Sequence, residues 1–346
     1  MVGTDRKKIV VIGMDGTTWK LLDILLAEGL MPNLQALLQR GVRAPMRSSI
    51  PDFTYMGWKC YSTGRNPGKL GAFYWYKLGP LRKGKIEMND STSYHADELW
   101  DYLGRAGYRC GVVNMPMTFP PKPVNGYMVA GPPSLPQWPF TYPASLKGEL
   151  LKLGYHMHTQ HAMKYRPGLE AEAAYPQQAA SIVDVRAVNQ AVLGAAMLLW
   201  QKGLDFLHVT FFYTDQMHHY MWTPYTNKTS ALLVGEIETF WHEMDAAIAT
   251  LVREAGPEAY VFFVSDHGNA PLTNFFHVNS WLMQQGYLRR SRGSSPIYSL
   301  VHRLGLNRQS ARGLSRTPAG RLAARLLPHG LVQRVWFAQL RDAQGS

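Results

Sequence analysis

Three short apolar runs in this chain each end in polar, acid-bearing residues. Residues 8–13 lead into Met14-Asp15-Gly16, residues 205–213 into Thr214-Asp215 and on to His218-His219, and residues 260–265 into Asp266-His267-Gly268. Each run is rich in Val, Ile or Phe and has the length of a buried parallel strand. Open α/β sheets gather ligands at the carboxyl ends of such strands. Asp15, Asp215, His219, Asp266 and His267 are therefore expected along one rim. Three carboxylates and two imidazoles held together repel, or stay partly protonated, unless cations join them. The pattern predicts a site for two metals, and with it hydrolytic chemistry.

Between these runs the sequence alternates helix and strand signals. Helices are expected over 19–28, 34–40 and 97–106, with a strand over 108–114. Longer helices over 178–201 and 232–254 feed the runs at 205 and 260, and a short helix covers 278–285. This βαβ rhythm predicts a mostly parallel sheet with helices on both faces. Residues 115–143 hold nine prolines and read as irregular; a loop of that length inside a compact domain is a lid or a binding surface. An insertion follows, bringing the irregular region to 115–177. Its His156, His158 and His161 read most simply as a solvent-facing cluster. The catalytic domain is expected over 1–288, and a basic helical segment over 289–346.

The charge of +12 is concentrated at the end. Residues 289–346 carry eleven Arg, no Lys and one acid, Asp342, whereas the rest of the chain is close to neutral. Such a tail suits an anionic partner, nucleic acid or lipid, or is a plain solvated helical segment. Cys60 and Cys110 make no disulfide framework and no zinc ribbon. The first apolar run is too short for a signal-peptide core. The helix candidate over 187–200 contains Asn189 and Gln190 and is too short and polar to span a bilayer. A cytoplasmic protein is expected.

Asp215 and His219 stand four apart, so a helical turn after the strand would aim both the same way. Carboxylate with imidazole suits zinc first, with manganese or iron as alternatives; the plainer reading is a helix-capping Asp with a surface His. Asp266 and His267 are adjacent, and Gly268 permits a sharp exit from the strand. Asp15 is either a ligand or a cap for the helix that follows. The nucleophile candidate is Thr54, which follows a Pro-turned stretch and opens a helix, so its hydroxyl faces the positive helix end. A metal-activated threonine would attack phosphorus; alternatively Thr54 is an N-cap. Residues 64–70 are not a phosphate-binding P-loop: three residues separate the glycines, and Leu70 stands where a Ser or Thr is needed. Residues 60–64 also lack the Pro and Arg placement of the sulfatase motif.

Taken in order, Val11-Ile12-Gly13-Met14-Asp15-Gly16, Met31-Pro32-Asn33-Leu34, Ser49-Ile50-Pro51-Asp52-Phe53-Thr54 and Thr63-Gly64-Arg65-Asn66-Pro67-Gly68-Lys69 resemble the type I phosphodiesterase/nucleotide pyrophosphatase family of the alkaline phosphatase superfamily. Asn114 to Pro121, Thr214 to His219 and Ser265 to Gly268 continue the match, which covers residues 8–288. The resemblance implies an alkaline-phosphatase-like sheet and a phosphorylated small-molecule substrate. It implies that Asp15, Asp266, His267 and Thr54 hold one metal, and Asp215 and His219 the other. Thr54 would attack phosphorus and carry a phospho-threonine. The family's second metal normally takes one more histidine from a late segment; His277, His302 and His329 are the candidates here, and the early end is read as a truncation. Family members also place an Asn shortly after the nucleophile. Here Gly57 and Lys59 occupy that stretch, with Lys59 either a substitute phosphate ligand or a solvent-facing charge. A weakened or inactive relative that binds a phosphorylated ligand is the alternative reading.

Overall fold

A computed structural model describes residues 6–77, 87–159, 175–270, 274 and 276–288. The chain divides into two compact units, one ending at Pro271 and one starting at Leu272; the sequence had suggested a boundary after 288.

In the first unit a six-stranded sheet runs in the order β4-β3-β2-β5-β1-β6. Its strands are β1 (Ile9–Met14), β2 (Cys110–Met115), β3 (Gly126–Ala130), β4 (Thr141–Tyr142), β5 (Phe206–Phe211) and β6 (Tyr260–Val264). All neighbours are parallel except β3 and β4. The alkaline-phosphatase-like reading of a mostly parallel sheet flanked by helices therefore holds.

Alternation along β1 shows how the layers form. Val10, Ile12 and Met14 face one side, with Leu207, Val209 and Phe211 of β5, and join the large apolar cluster under α1 (Trp19–Ala27), α7 (Tyr175–Trp200) and α9 (Ala231–Ala255). Val11 faces the other side, with Phe206, Cys110, Val112 and Met128, and packs against Trp58 of α3 (Thr54–Thr63) and Trp100 of α5 (Leu99–Arg105). Side chains two apart share a face, so the same run serves both layers. Burial on both sides explains why these strands read as continuous apolar stretches.

Three expectations need correction. The proline-rich 115–143 stretch contains β3 and β4, and α6 (Leu146–Lys152) follows it; prolines confined to the flanks obscured the five-residue Gly126–Ala130 strand. The apolar helix is 26 residues long and begins at Tyr175, so it is long and apolar enough to cross a bilayer by length and composition. Ten of its residues are nonetheless buried, and it packs on β2, β5 and α9 as a core helix does. Lys59 neither faces solvent nor reaches the rim: it is fully buried and paired 2.5 Å from Glu98.

The remaining elements of this unit are α2 (Pro32–Gln39), α4 (Pro67–Leu70) and α8 (Thr214–Thr226). Cys60 and Cys110 are free thiols. His156 and His158 bond the backbone carbonyls of Gly154 and Ser134, at 3.0 and 2.8 Å. His161, His302, His329 and the Arg-rich tail lie outside the described residues. His277 precedes α10 (Val278–Gln284) in the second unit.

Candidate active site

Register brings the acids together. Gly13 pairs with Thr210 on β5 and with Val264 on β6. Two residues on, Asp15 and Asp266 leave adjacent strands side by side, and Asp215 follows in the first turn of α8. Gly16, at φ +63°, makes the exit turn, and a Cβ there would lie 2.4 Å from Asp215 Oδ1. One ligand atom each from Asp15, Asp215 and His267 lies within 4.8 Å of the others.

The nucleophile candidate stands over this group. Thr54 opens α3, and its Oγ1 lies 3.3 Å from Asp15 Oδ1 and 3.1 Å from His267 Nε2. Two glycines set that distance. A Cβ on Gly57 would come within 2.8 Å of Asp266 Cβ, and one on Gly13 within 2.6 Å of Trp58 Cη2. Helix and strands are thus seated by missing side chains.

Electrostatics favour a cation. Burial, followed by the charges of Asp266 and Asp215, holds the Asp15 carboxyl well above its usual range. Burial likewise pushes Asp266 up to about 6. Burial acts on Asp215 in the same sense, but the hydrogen bonds of His219 and Asn269 keep it below the ordinary carboxylate value. His219 Nε2 sits 3.1 Å from Asp215 Oδ2, and that contact raises the imidazole. Asp266 Oδ1 accepts from the Gly16 amide at 3.2 Å, whereas the buried Oδ2 accepts no hydrogen bond. An orphaned carboxylate oxygen beside two further acids is a donor set that fits a divalent cation.

All six sequence-derived residues, Asp15, Thr54, Asp215, His219, Asp266 and His267, meet on this rim. The grouping differs from the expected one: the tight trio takes Asp215 from the second expected set and Asp15 with His267 from the first.

Three supporting residues escaped the sequence reading. Trp58 donates its indole N–H to Asp15 Oδ2 at 2.9 Å; it stands four residues after Thr54, a spacing that signals a shared helix face. Asn269 donates to both Asp215 Oδ1 and the Gly16 carbonyl at 2.9 Å. His218, beside the predicted His219, is buried and meets the Thr17 hydroxyl at 3.3 Å.

An α/β sheet with acids, imidazoles and a helix-borne hydroxyl gathered at its strand ends has the layout of a hydrolase site in an open sheet. The family model of type I phosphodiesterase / nucleotide pyrophosphatase matches residues 9–326, and the chain belongs to that hydrolase family. Among solved structures it is similar to phosphonoacetate hydrolase from Sinorhizobium meliloti 1021. The complex with phosphonoacetate gives a TM-score of 0.51 and that with phosphonoformate 0.56. Each is 20% identical, and the alignment covers 82% of this chain and 62% of that chain. The chain thus spans less than two thirds of the length of these structures, and at that identity the likeness concerns the fold. No curated protein matches the chain significantly.

Proposed function

We propose that the chain hydrolyses phosphodiester or phosphomonoester bonds through Thr54, with divalent cations held by Asp15, Asp215, His219, Asp266 and His267. The observation that carries this reading is the Thr54 hydroxyl 3.3 Å from Asp15 and 3.1 Å from His267, above three carboxylates, of which Asp266 keeps a buried oxygen that accepts no hydrogen bond. When bound, the cations supply charge neutralisation and an acidified water, and zinc suits the mixed donor set best.

The chain's own residues supply the rest. Asp15 Oδ1 offers the acceptor for the Thr54 hydroxyl proton. The Thr54 oxygen forms the new bond to phosphorus as the ester oxygen leaves, giving a phospho-threonine that water then cleaves. The N-terminus of α3 places backbone N–H groups and the positive helix end beside the transferred group. Trp58 and Asn269 hold the Asp15 and Asp215 carboxylates in place.

Replacing Thr54 by Ala is expected to abolish turnover of bis(p-nitrophenyl) phosphate while metal content by mass spectrometry stays the same. Retained turnover in that variant would remove Thr54 from its role. The second reading is a non-catalytic relative that binds a phosphorylated ligand. It is favoured by the histidine supply: among the described residues the rim holds only His219 and His267 as outward ligands. One cation or none per chain, with no turnover, would select that reading.

A further inference from the structure

Both chain neighbours of Thr54 carry a further layer of aromatic side chains. Phe53 and Tyr74 meet edge to face with ring centroids 4.6 Å apart, and Tyr74 leads on to Tyr76 at 5.8 Å. Tyr55, on the other side of the nucleophile, is buried and packs against Trp75. The segment that supplies these rings is pinned to a second one. The Asn89 amide donates to the Trp75 carbonyl at 2.7 Å, and the Lys77 amide to the Glu87 carbonyl at 2.9 Å. Tyr76 and Met88 stand opposite each other in an antiparallel bridge, and the Asn89 side chain donates to the Tyr74 carbonyl at 2.7 Å.

Alternation sorts these side chains. Trp75 turns inward, onto the buried cluster of Tyr55, Met56 and Met117, while Tyr74 and Tyr76 turn outward. Phe53, Tyr74, Tyr76 and Met88 are 38, 37, 42 and 43% exposed, so each offers surface that a ligand can touch. The charges on the two arms, Lys77 and Glu87, pair with each other at 3.5 Å and leave the wall neutral. Contiguous exposed apolar side chains, unlike scattered ones, mark an interaction surface, and this surface begins at the residue before the nucleophile. The three rings meet at 77° and 55°, so no two faces run parallel to enclose a flat ring. Apolar burial is non-directional, and a flexible chain follows such an uneven surface.

We propose, on the reading of Thr54 as nucleophile, that this wall receives the retained ester arm of the substrate, and that the substrate is a phosphodiester whose retained arm is aliphatic. The Thr54 oxygen bonds to phosphorus as the leaving oxygen departs with the bonding pair, and the Thr54 proton passes to Asp15. The aliphatic arm stays on phosphorus. Water then cleaves the bond between phosphorus and Thr54, returns a proton to the hydroxyl and releases an alkyl phosphate. A phosphomonoester has no arm to lay on Phe53, Tyr74 and Tyr76, and leaves the rings in water.

The test uses the metal-loaded full chain and p-nitrophenyl phosphodiesters with methyl, butyl, hexyl and benzyl arms, below their micelle concentrations. From methyl to hexyl, kcat/KM is expected to rise by about twofold per methylene, half of the free-energy gain of full burial. The benzyl ester is expected to be no faster than the butyl ester. Tyr74→Ser and Tyr76→Ser are each expected to lower the hexyl-to-methyl ratio by about fivefold, whereas a merely structural role lowers both esters alike. Light scattering follows the oligomeric state. Turnover with equal kcat/KM from methyl to hexyl overturns this proposal and leaves the Thr54 chemistry standing. No turnover of any ester by the unaltered chain overturns both. An unchanged ratio in the two variants, or a benzyl ester faster than the butyl ester, would overturn the aliphatic arm. So would a dimer that Tyr76→Ser dissolves with the ratio unchanged, which gives the wall to a second copy.

Discussion

Trp58 fills the space that Gly13 leaves open and gives its indole proton to Asp15. Packing and the orientation of the Asp15 carboxylate therefore depend on the same side chain. Trp58→Phe keeps most of the packing and removes the hydrogen bond; zinc affinity is expected to fall by about 10–100-fold, the usual effect of losing a group that orients a ligand. Asn269→Ala frees Asp215 Oδ1 and is expected to fall in the same range, measured by competition with a chromophoric chelator. Gly57→Ala is more severe in another way. Its Cβ meets both the side chain and the backbone carbonyl of Asp266, at 2.8 and 3.0 Å, so α3 must move away. Turnover is expected to drop by about a hundredfold, since displacement of a reacting group by about 1 Å has that cost.

At the level of elements, α3 is fixed at its start by Thr54 contacts and in its middle by a buried ion pair. Lys59 and Glu98 are almost wholly excluded from water, and Ser62 donates to the same Glu98 oxygen at 3.0 Å. Removing one charge from such a pair leaves the other stranded. Glu98→Leu is expected to destabilise the chain by about 3–5 kcal/mol in urea unfolding. Lys59→Met is expected to cost less, because Lys122 still serves Glu98. This pair was invisible in the sequence: 39 residues separate its members, and nothing in the local pattern at Lys59 distinguishes a buried lysine from an exposed one. The strands and their acids were legible because continuous apolar runs that lead into an Asp carry both fold and site in a few residues. β3 was not, because Gly126–Ala130 is short and framed by prolines. Asn269 was hidden for a different reason: its role depends on Asp215, 54 residues away.

For the whole molecule, acid is the expected weakness. Burial drives the His208 imidazole down to about 3 and that of His218 to about 4. Both are therefore neutral when folded, while their unfolded counterparts titrate near 6.5. Their contribution is fully present above that value and is lost as pH falls toward the folded values, by about 1.4 kcal/mol per pH unit for each group. His208→Phe is expected to flatten the fall in unfolding free energy between pH 6 and pH 4; an unchanged slope would remove His208 from the cause. The sheet order has its own consequence for the intact protein. β6 pairs only with β1 among the described strands, and Tyr260 and Phe262 on it are half exposed. Asp266 and His267 hang from the end of this outermost strand, whereas Asp15 and Asp215 belong to the interior of the sheet and its helix. A cation shared between them would act as a clasp. On zinc addition, amide hydrogen exchange is expected to slow along β6 and to stay unchanged along the interior β5.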